Sequence, residues 1–325
     1  MQYKFKFLLL LSLIISLLGC TQIQPSLKTT ISNTTQDVQV FTSKNNDGKI
    51  NAESIETAFE SVGLSILGNN DMNKPFQARF GKTHYKHYNL AMYMNNELNY
   101  KLIKKYPQFG ALTPLTMSIY TTDNSINIAT LTRNGIARAT QIPVTDPDLI
   151  AYTELIKKAL KTALPNGKFK NLPFSTVNDK NQSYQVDFVM DAYLENGSSW
   201  DDYIEDFEAE FEAEMEPYGF LFPNFLNIQE DLFDLNDYFK YDFYHTYSIC
   251  KFDVIFPVSK LHPEAGAWAP CSFYIYKLKN ENKMHMGFLG VENWITTLDI
   301  KDEESIKPLT KAQEIIKKIL QELTN

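Results

Sequence analysis

The chain is short of the residues from which most catalytic and metal sites are built. Its 325 residues include 3 cysteines and 5 histidines, with no C-x-x-C pair, which excludes thioredoxin-type redox chemistry. G-x-S-x-G, H-E-x-x-H, Walker A and G-x-G-x-x-G are all missing. No nucleophile elbow, zinc-protease helix, phosphate loop or dinucleotide fingerprint is therefore on offer. Positive charge is also scarce: 31 Lys and Arg face 39 Asp and Glu, for a net charge of -8. A nucleic-acid partner needs stripes of Lys and Arg to displace counterions from phosphates. An acidic surface argues against that partner and against electrostatic attachment to anionic lipid. The expectation is a protein with no nucleic-acid partner, no cofactor and no metal.

What is present begins at the N-terminus. Lys4 and Lys6 precede an apolar run from Phe7 to Leu18, shorter than the roughly 20 apolar residues that span a bilayer. The run ends in Leu17-Leu18-Gly19-Cys20, which resembles the bacterial lipobox. That resemblance implies a signal peptide over residues 1–19 and lipidation of Cys20, with a plain secretory signal or a transmembrane anchor as the alternatives. Acyl chains would then hold the N-terminus on a membrane. Thr21 stands where an aspartate would favour the inner membrane, so the periplasmic face of the outer membrane is expected by analogy. Residues 20–36 are polar, with Lys28 the one charge before Asp37, and read as a flexible tether.

The rest of the chain repeats itself. "PQFGALTPLTMSIY" (Pro107–Tyr120) returns as "PEAGAWAPCSFYIY" (Pro263–Tyr276), 156 residues later. Gly63 and Gly219 repeat at the same offset, while "ELIKKAL" (Glu154–Leu160) and "EIIKKIL" (Glu314–Leu320) lie 160 apart. A period this long means tandem domains, since solenoid units are far shorter. Alternation predicts strands at Asp37–Ser43 and Ser183–Met190, each before a helix, Ala52–Ser61 or Trp200–Glu216. Second long strands are predicted at Tyr88–Met94 and Tyr247–Val254. Asn95 is read as an N-cap, whereas the second copy shows only a compressed "FPVSKLHPEA" in place of the helix that follows. Gly110 and Gly266 are read as left-handed helix stops, and Pro114 and Pro270 as strand entries. The fold class expected is α+β, two tandem β-α-β-β-α-β-β-α domains, each a mainly antiparallel sheet packed by helices. The expected boundaries are 37–164, a linker over 165–182, and 183–325, an intrachain pseudo-dimer.

This order, with G-[AL]-x-P leading into an hxhxIY strand, resembles the small bacterial family called domain of unknown function 302. The resemblance covers most of Thr34–Leu164 and, more faintly, Ser183–Leu323. It implies a sheet layered with helices in a family often seen as paired domains. The family usually has Leu-Pro at the strand entry and Gly-Asn-Pro after the preceding strand. Here Thr113-Pro114 and Ala269-Pro270 stand at the entry, and Met94-Asn95-Asn96 replaces the glycine turn.

Candidate chemistry is dispersed. Cys250 and Cys271 are read as sharing a face of two strands, either paired in a disulfide or buried as free thiols. His84 and His87 point to opposite faces of a strand, unsuited to one metal. Met284-His285-Met286, with Met92 and Met94, carries soft-metal ligand types, but the methionines also suit a core. The acidic segment Asp201–Phe220 spaces Tyr203, Phe207, Phe211 and Met215 as an apolar stripe, expected to be a packed helix with a solvated back. "DKNQS" (Asp179–Ser183) fits an acidic-x-Asn-x-Ser sequon, making Asn181 a glycosylation candidate. The function expected is a membrane-anchored, non-enzymatic module that binds a small ligand or a protein at its inter-domain groove. The alternative is a periplasmic enzyme or soft-metal handler with a dispersed site there.

Overall fold

The computed structural model describes residues 36–172 and 184–324, so Cys20 and Asn181 lie outside the described residues. In the first half, β1 (Val38–Lys44), β2 (Ser65–Asp71), β3 (Tyr88–Met94), β4 (Leu115–Thr122) and β5 (Ser125–Leu131) form a sheet ordered β2-β3-β4-β5-β1. A short strand β6 (Lys168–Phe169) extends it beyond β1. In the second half, β7 (Gln185–Asp191), β8 (Leu221–Asn227), β9 (Tyr241–Cys250), β10 (Cys271–Leu278) and β11 (Lys283–Leu289) form another sheet. Read from its β8 edge, its order is β8-β9-β10-β11-β7. Corresponding strands therefore connect in the same order, with antiparallel neighbours throughout. The registers agree as well: Tyr88 pairs with Tyr120, and Tyr244 with Tyr276.

Five helices accompany the first sheet among the described residues: α1 (Ala52–Glu60), α2 (Asn73–Phe80), α3 (Asn96–Lys105), α4 (Arg133–Thr140) and α5 (Pro147–Ala163). The second has α6 (Trp200–Met215), α7 (Phe252–Leu261), α8 (Glu292–Thr297) and α9 (Glu303–Leu323). Several of their starts are legible in the sequence. Asn51 and Ser54 form a reciprocal capping box on α1, and Ser199 and Asp202 another on α6. The side chain of Asn95 accepts from the Leu98 amide at 2.9 Å. Each cap satisfies N–H groups that the first turn leaves without partners. On α6, Phe207, Phe211 and Met215 are buried as the stripe requires, and Phe211 stacks on Phe273 at 5.0 Å. In the first half Phe59 of α1 meets Tyr93 of β3 edge-on at 5.3 Å. One face of each sheet thus packs on helices of its own half.

The other faces meet. Leu115–Tyr120 are buried at every position, although alternation alone buries only Leu115, Met117 and Ile119. The second layer over Ser118 is the turn Pro263–Ala267 of the opposite half, a single 3-10 turn. Ser118 donates to the Pro263 carbonyl at 2.7 Å. Reciprocally, the turn Pro107–Leu112 lies on β10, where Gly110 faces Tyr274. Tyr88 donates to Pro263 O at 3.4 Å, and Tyr244, its counterpart 156 residues on, donates to Pro107 O. The helices repeat the exchange: Phe80 of α2 stacks on Phe256 of α7 at 4.0 Å, and Phe233 meets Tyr100 of α3 at 5.9 Å. The two sheets belong to one compact unit.

Several local expectations need correction. Gly110 and Gly266 are not left-handed; the left-handed glycines include Gly63 and Gly219. At Gly110 and Gly266 glycine is required by close approach, because a Cβ on Gly266 would lie 2.7 Å from Leu90 Cδ2. The second long strand is Tyr241–Cys250, and Phe252 and Val254 belong to α7. That helix has ten residues, as α3 does, in place of a compressed stub. Two sequence features hid it: Lys251 gives no side-chain cap, and Pro257 lies inside, removing one helical hydrogen bond. Burial of Val254, Ile255 and Val258 outweighs that loss. Helix α2, which the sequence does not announce, owes its stability to Phe76 and Phe80 packing on Phe256 of the opposite half.

Candidate functional site

The reciprocal clasp does not close the junction everywhere. A cleft of about 500 Å³ opens between the halves, within the range of small-molecule sites. The first half contributes Asn69, Asn70 and Asp71 of the edge strand β2, with Lys74 and Pro75 in the first turn of α2. The second contributes Leu221 and Pro223 of the edge strand β8, Cys250 at the end of β9, Phe252 and Pro270.

The polar wall divides by duty. Asn69 donates to Ala52 O at 3.1 Å and Glu56 Oε2 at 3.2 Å, and accepts from Asn89 at 3.1 Å. It is held in place. Asp71 Oδ1 accepts from the Asn73 amide at 3.0 Å at the start of α2. Asn70 and Lys74 are exposed and bring an amide and an ammonium to the cleft. The opposite wall is largely apolar, with Leu221 43% exposed. Such a pairing suits a ligand with one polar and one apolar end.

A second space lies inside the second half, between its sheet, α7 and α9. This cavity measures about 60 Å³ and is bordered by Phe220, Val254, Phe288, Trp294, Ala312 and Ile316 among others. Cys250 and Pro270 border both the cavity and the cleft.

Cys250 and Cys271 are free thiols on neighbouring strands, and both border the cavity. Cys271 pairs in register with Ile249, so strand alternation sends Cys250 to the other face; the shared-face expectation relied on a strand that is really α7. Burial pushes each thiol up to about 12, and Cys250 adds to the effect on Cys271. Both are thiols rather than thiolates near neutral pH, a state that suits packing and not nucleophilic attack.

The histidines are dispersed. His84 Nε2 lies 2.9 Å from Phe256 O across the junction, and burial lowers its pKa. His87 is exposed. His245 Nδ1 lies 2.7 Å from Glu208, His262 Nε2 3.1 Å from Asp302, and His285 Nε2 2.8 Å from Glu281. Met284 and Met286 are buried core residues. Among the described residues, no three His, Cys, Asp or Glu side chains gather as a metal set, and no helix is long and apolar enough to cross a membrane.

Residues 42–163 match the family model "Domain of unknown function DUF302". The DUF302 match runs from within β1 to the last residue of α5, and so contains the whole first-half wall of the cleft. Among solved structures, an uncharacterised conserved DUF302 protein from Bacillus stearothermophilus is similar to this chain. It shares 16% identity and a TM-score of 0.32, over 39% of this chain and 95% of that one. No curated protein matches the chain.

Inspection of the sequence pointed to a groove between the halves but not to its residues. Asn69–Lys74 carry no motif, and only the packing of the two halves, which brings the edge strands of separate sheets to one cleft, makes them neighbours of Leu221 and Pro223. The available signal was positional: sites where the two copies differ in side-chain size.

Proposed function

We propose that the protein is a lipid-anchored, non-enzymatic binding module of the bacterial periplasm, held through Cys20 to the outer membrane. Residues 20–36 serve as its tether, and the junction cleft is its binding site. The second half is a diverged copy of the DUF302 domain; the shared strand order and the 156-residue offset support that descent. The single observation that carries the binding role is the cleft of about 500 Å³, with Asn70 and Lys74 on one wall and Leu221 on the other. Asn181 is the proposed glycan acceptor, which intact-mass measurement of native protein would test.

A thermal-shift screen of the purified protein against a metabolite panel tests the cleft. A ligand at 100 times its Kd adds about 2.7 kcal/mol to folding stability, or several degrees of Tm. The shift is expected to shrink in Asn70→Ala and Lys74→Ala. A ligand shift untouched by either change would refute the cleft as the site. Mass spectrometry of wild type and Cys20→Ser tests the anchor: a diacylglyceryl adduct on the wild type alone is expected.

A further inference from the structure

We propose that the apolar cavity of the second half is the tail pocket of the junction cleft, and that the ligand is a single-chain amphiphile. Its short apolar end enters the cavity while its polar head stays in the cleft. The proposal rests on the reading of the cleft as the binding site and names the chemistry of what binds there.

The repeat supplies the argument, because each position of the cavity has a counterpart in the first half. Tyr152 of α5 is fully buried there, donates to Asn99 Oδ1 at 2.7 Å and accepts from the Asn95 amide at 3.1 Å. Its counterpart, at the 160-residue offset of the two closing helices, is Ala312. Met94 and Leu115, both buried, correspond at the 156-residue offset to Cys250 and Cys271. Tyr152 and Leu115 have become small side chains around one volume, and Met94 a small one at the wall shared with the cleft. Asn99, the partner of the tyrosine hydroxyl, has become Ile255, which also lines the cavity. A volume filled by a hydrogen-bonded Tyr-Asn pair in one half is thus empty and apolar in the other.

Neutral drift does not readily keep such a space. Unfilled apolar volume forfeits dispersion contacts and costs stability, and an apolar lining gives water no partners with which to occupy it. An apolar group arriving from outside recovers both. The route is short, since Cys250 and Pro270 form a wall common to cavity and cleft. At about 60 Å³ the cavity takes only a few carbons, whereas the cleft of about 500 Å³ takes the remainder. Among the cleft's polar groups, the Lys74 ammonium and the Asn70 amide can hold an anionic head, which must sit away from the Asp71 carboxylate, whose Oδ1 accepts from the Asn73 amide. A straight-chain carboxylate has both ends.

Titration of the purified full chain with butyrate, octanoate and decanoate below micellar concentrations tests this, read by calorimetry and by intrinsic tryptophan fluorescence, to which Trp294 on the cavity wall contributes. Decanoate is expected to bind at least 10-fold more tightly than butyrate. Ala312→Tyr, which restores the first-half residue without its Asn partner, is expected to weaken decanoate at least 10-fold in the folded protein; Cys271→Leu provides the same test should the tyrosine fail to fit. Folded wild type that ignores decanoate, or decanoate binding unchanged in both folded variants, would overturn the tail pocket. If a polar metabolite still raised Tm in a Lys74-dependent way, the cleft would survive and the tail pocket alone would fall.

Discussion

Replacing Gly266 by alanine probes the clasp that joins the halves. The glycine is absent from the left-handed set, so an added methyl meets no intrinsic backbone penalty. It meets the other half instead: Ser118 Cβ most closely, then Leu90 Cδ2 at 2.7 Å and Ser118 Cα at 2.9 Å. The leucine methyl can swing aside. The Ser118 backbone cannot, because β4 is bonded on both sides, to β3 and β5. The loss should therefore fall in the range of core overpacking, about 1–3 kcal/mol. A value near 2 kcal/mol corresponds to a Tm drop of roughly 4–8 °C in a protein of this size. Gly48→Ala is the control: its φ is +67° with nothing within 4 Å of a new Cβ, so only the backbone strain of about 1 kcal/mol applies. Urea unfolding of both variants, and of Gly266→Ala combined with Ser118→Gly, separates the two causes. The double change should be non-additive by at least about 0.5 kcal/mol, since the two positions touch. Strict additivity, or a Gly266 penalty no larger than that at Gly48, would refute the clasp as the cause.

Three further outcomes are expected. Tyr244→Phe leaves the Pro107 carbonyl without its donor and should cost about 1–3 kcal/mol in the same urea assay. Asp242→Asn removes the negative charge facing Lys277, whose side chain is 2% exposed and bonded at 2.6 Å, and leaves it the Leu278 carbonyl and the Trp200 ring; stability should fall by about 1–3 kcal/mol, and a neutral result would show the pair to be dispensable. The raised thiols give an alkaline signature. Cys250 and Cys271 stay protonated in the folded state until about 12, whereas in the unfolded chain they ionise from the ordinary thiol value of 9.0. Between those limits the unfolded state binds fewer protons, so stability falls as pH rises. A Cys250→Ala/Cys271→Ala variant should flatten the limb between pH 9 and 10, before tyrosines contribute, and an unchanged limb would exclude the thiols. Native protein should also react slowly with a thiol reagent at pH 8.

The duplication was legible because hydrophobic alternation and turn chemistry are local, and both copies kept them. Asn95 announces its helix by a cap that acts three residues away, and Ser199 does the same for α6. Elements that failed to announce themselves depend on the opposite half. Helix α2 has weak local signals and is held by Phe256; α7 carries a proline and no cap, and is held by burial. Gly266 looked like a helix stop because glycine has two uses, and sequence does not distinguish positive φ from close approach. Face assignment failed for Cys250 for a related reason: strand alternation stops where the strand stops, and that boundary was placed four residues too late.

The amino-acid order by itself determined the α+β class, the repeat and its offset, the helix caps and the apolar stripe of α6, since each of these arises from neighbours within a few turns of chain or from direct comparison of two copies. The tertiary structure decided which turn rests on which sheet, why β4 is buried on both faces, and where the cleft and cavity lie. Those features come from contacts between residues more than a hundred positions apart, and the volume between two packed surfaces is a property of neither surface alone.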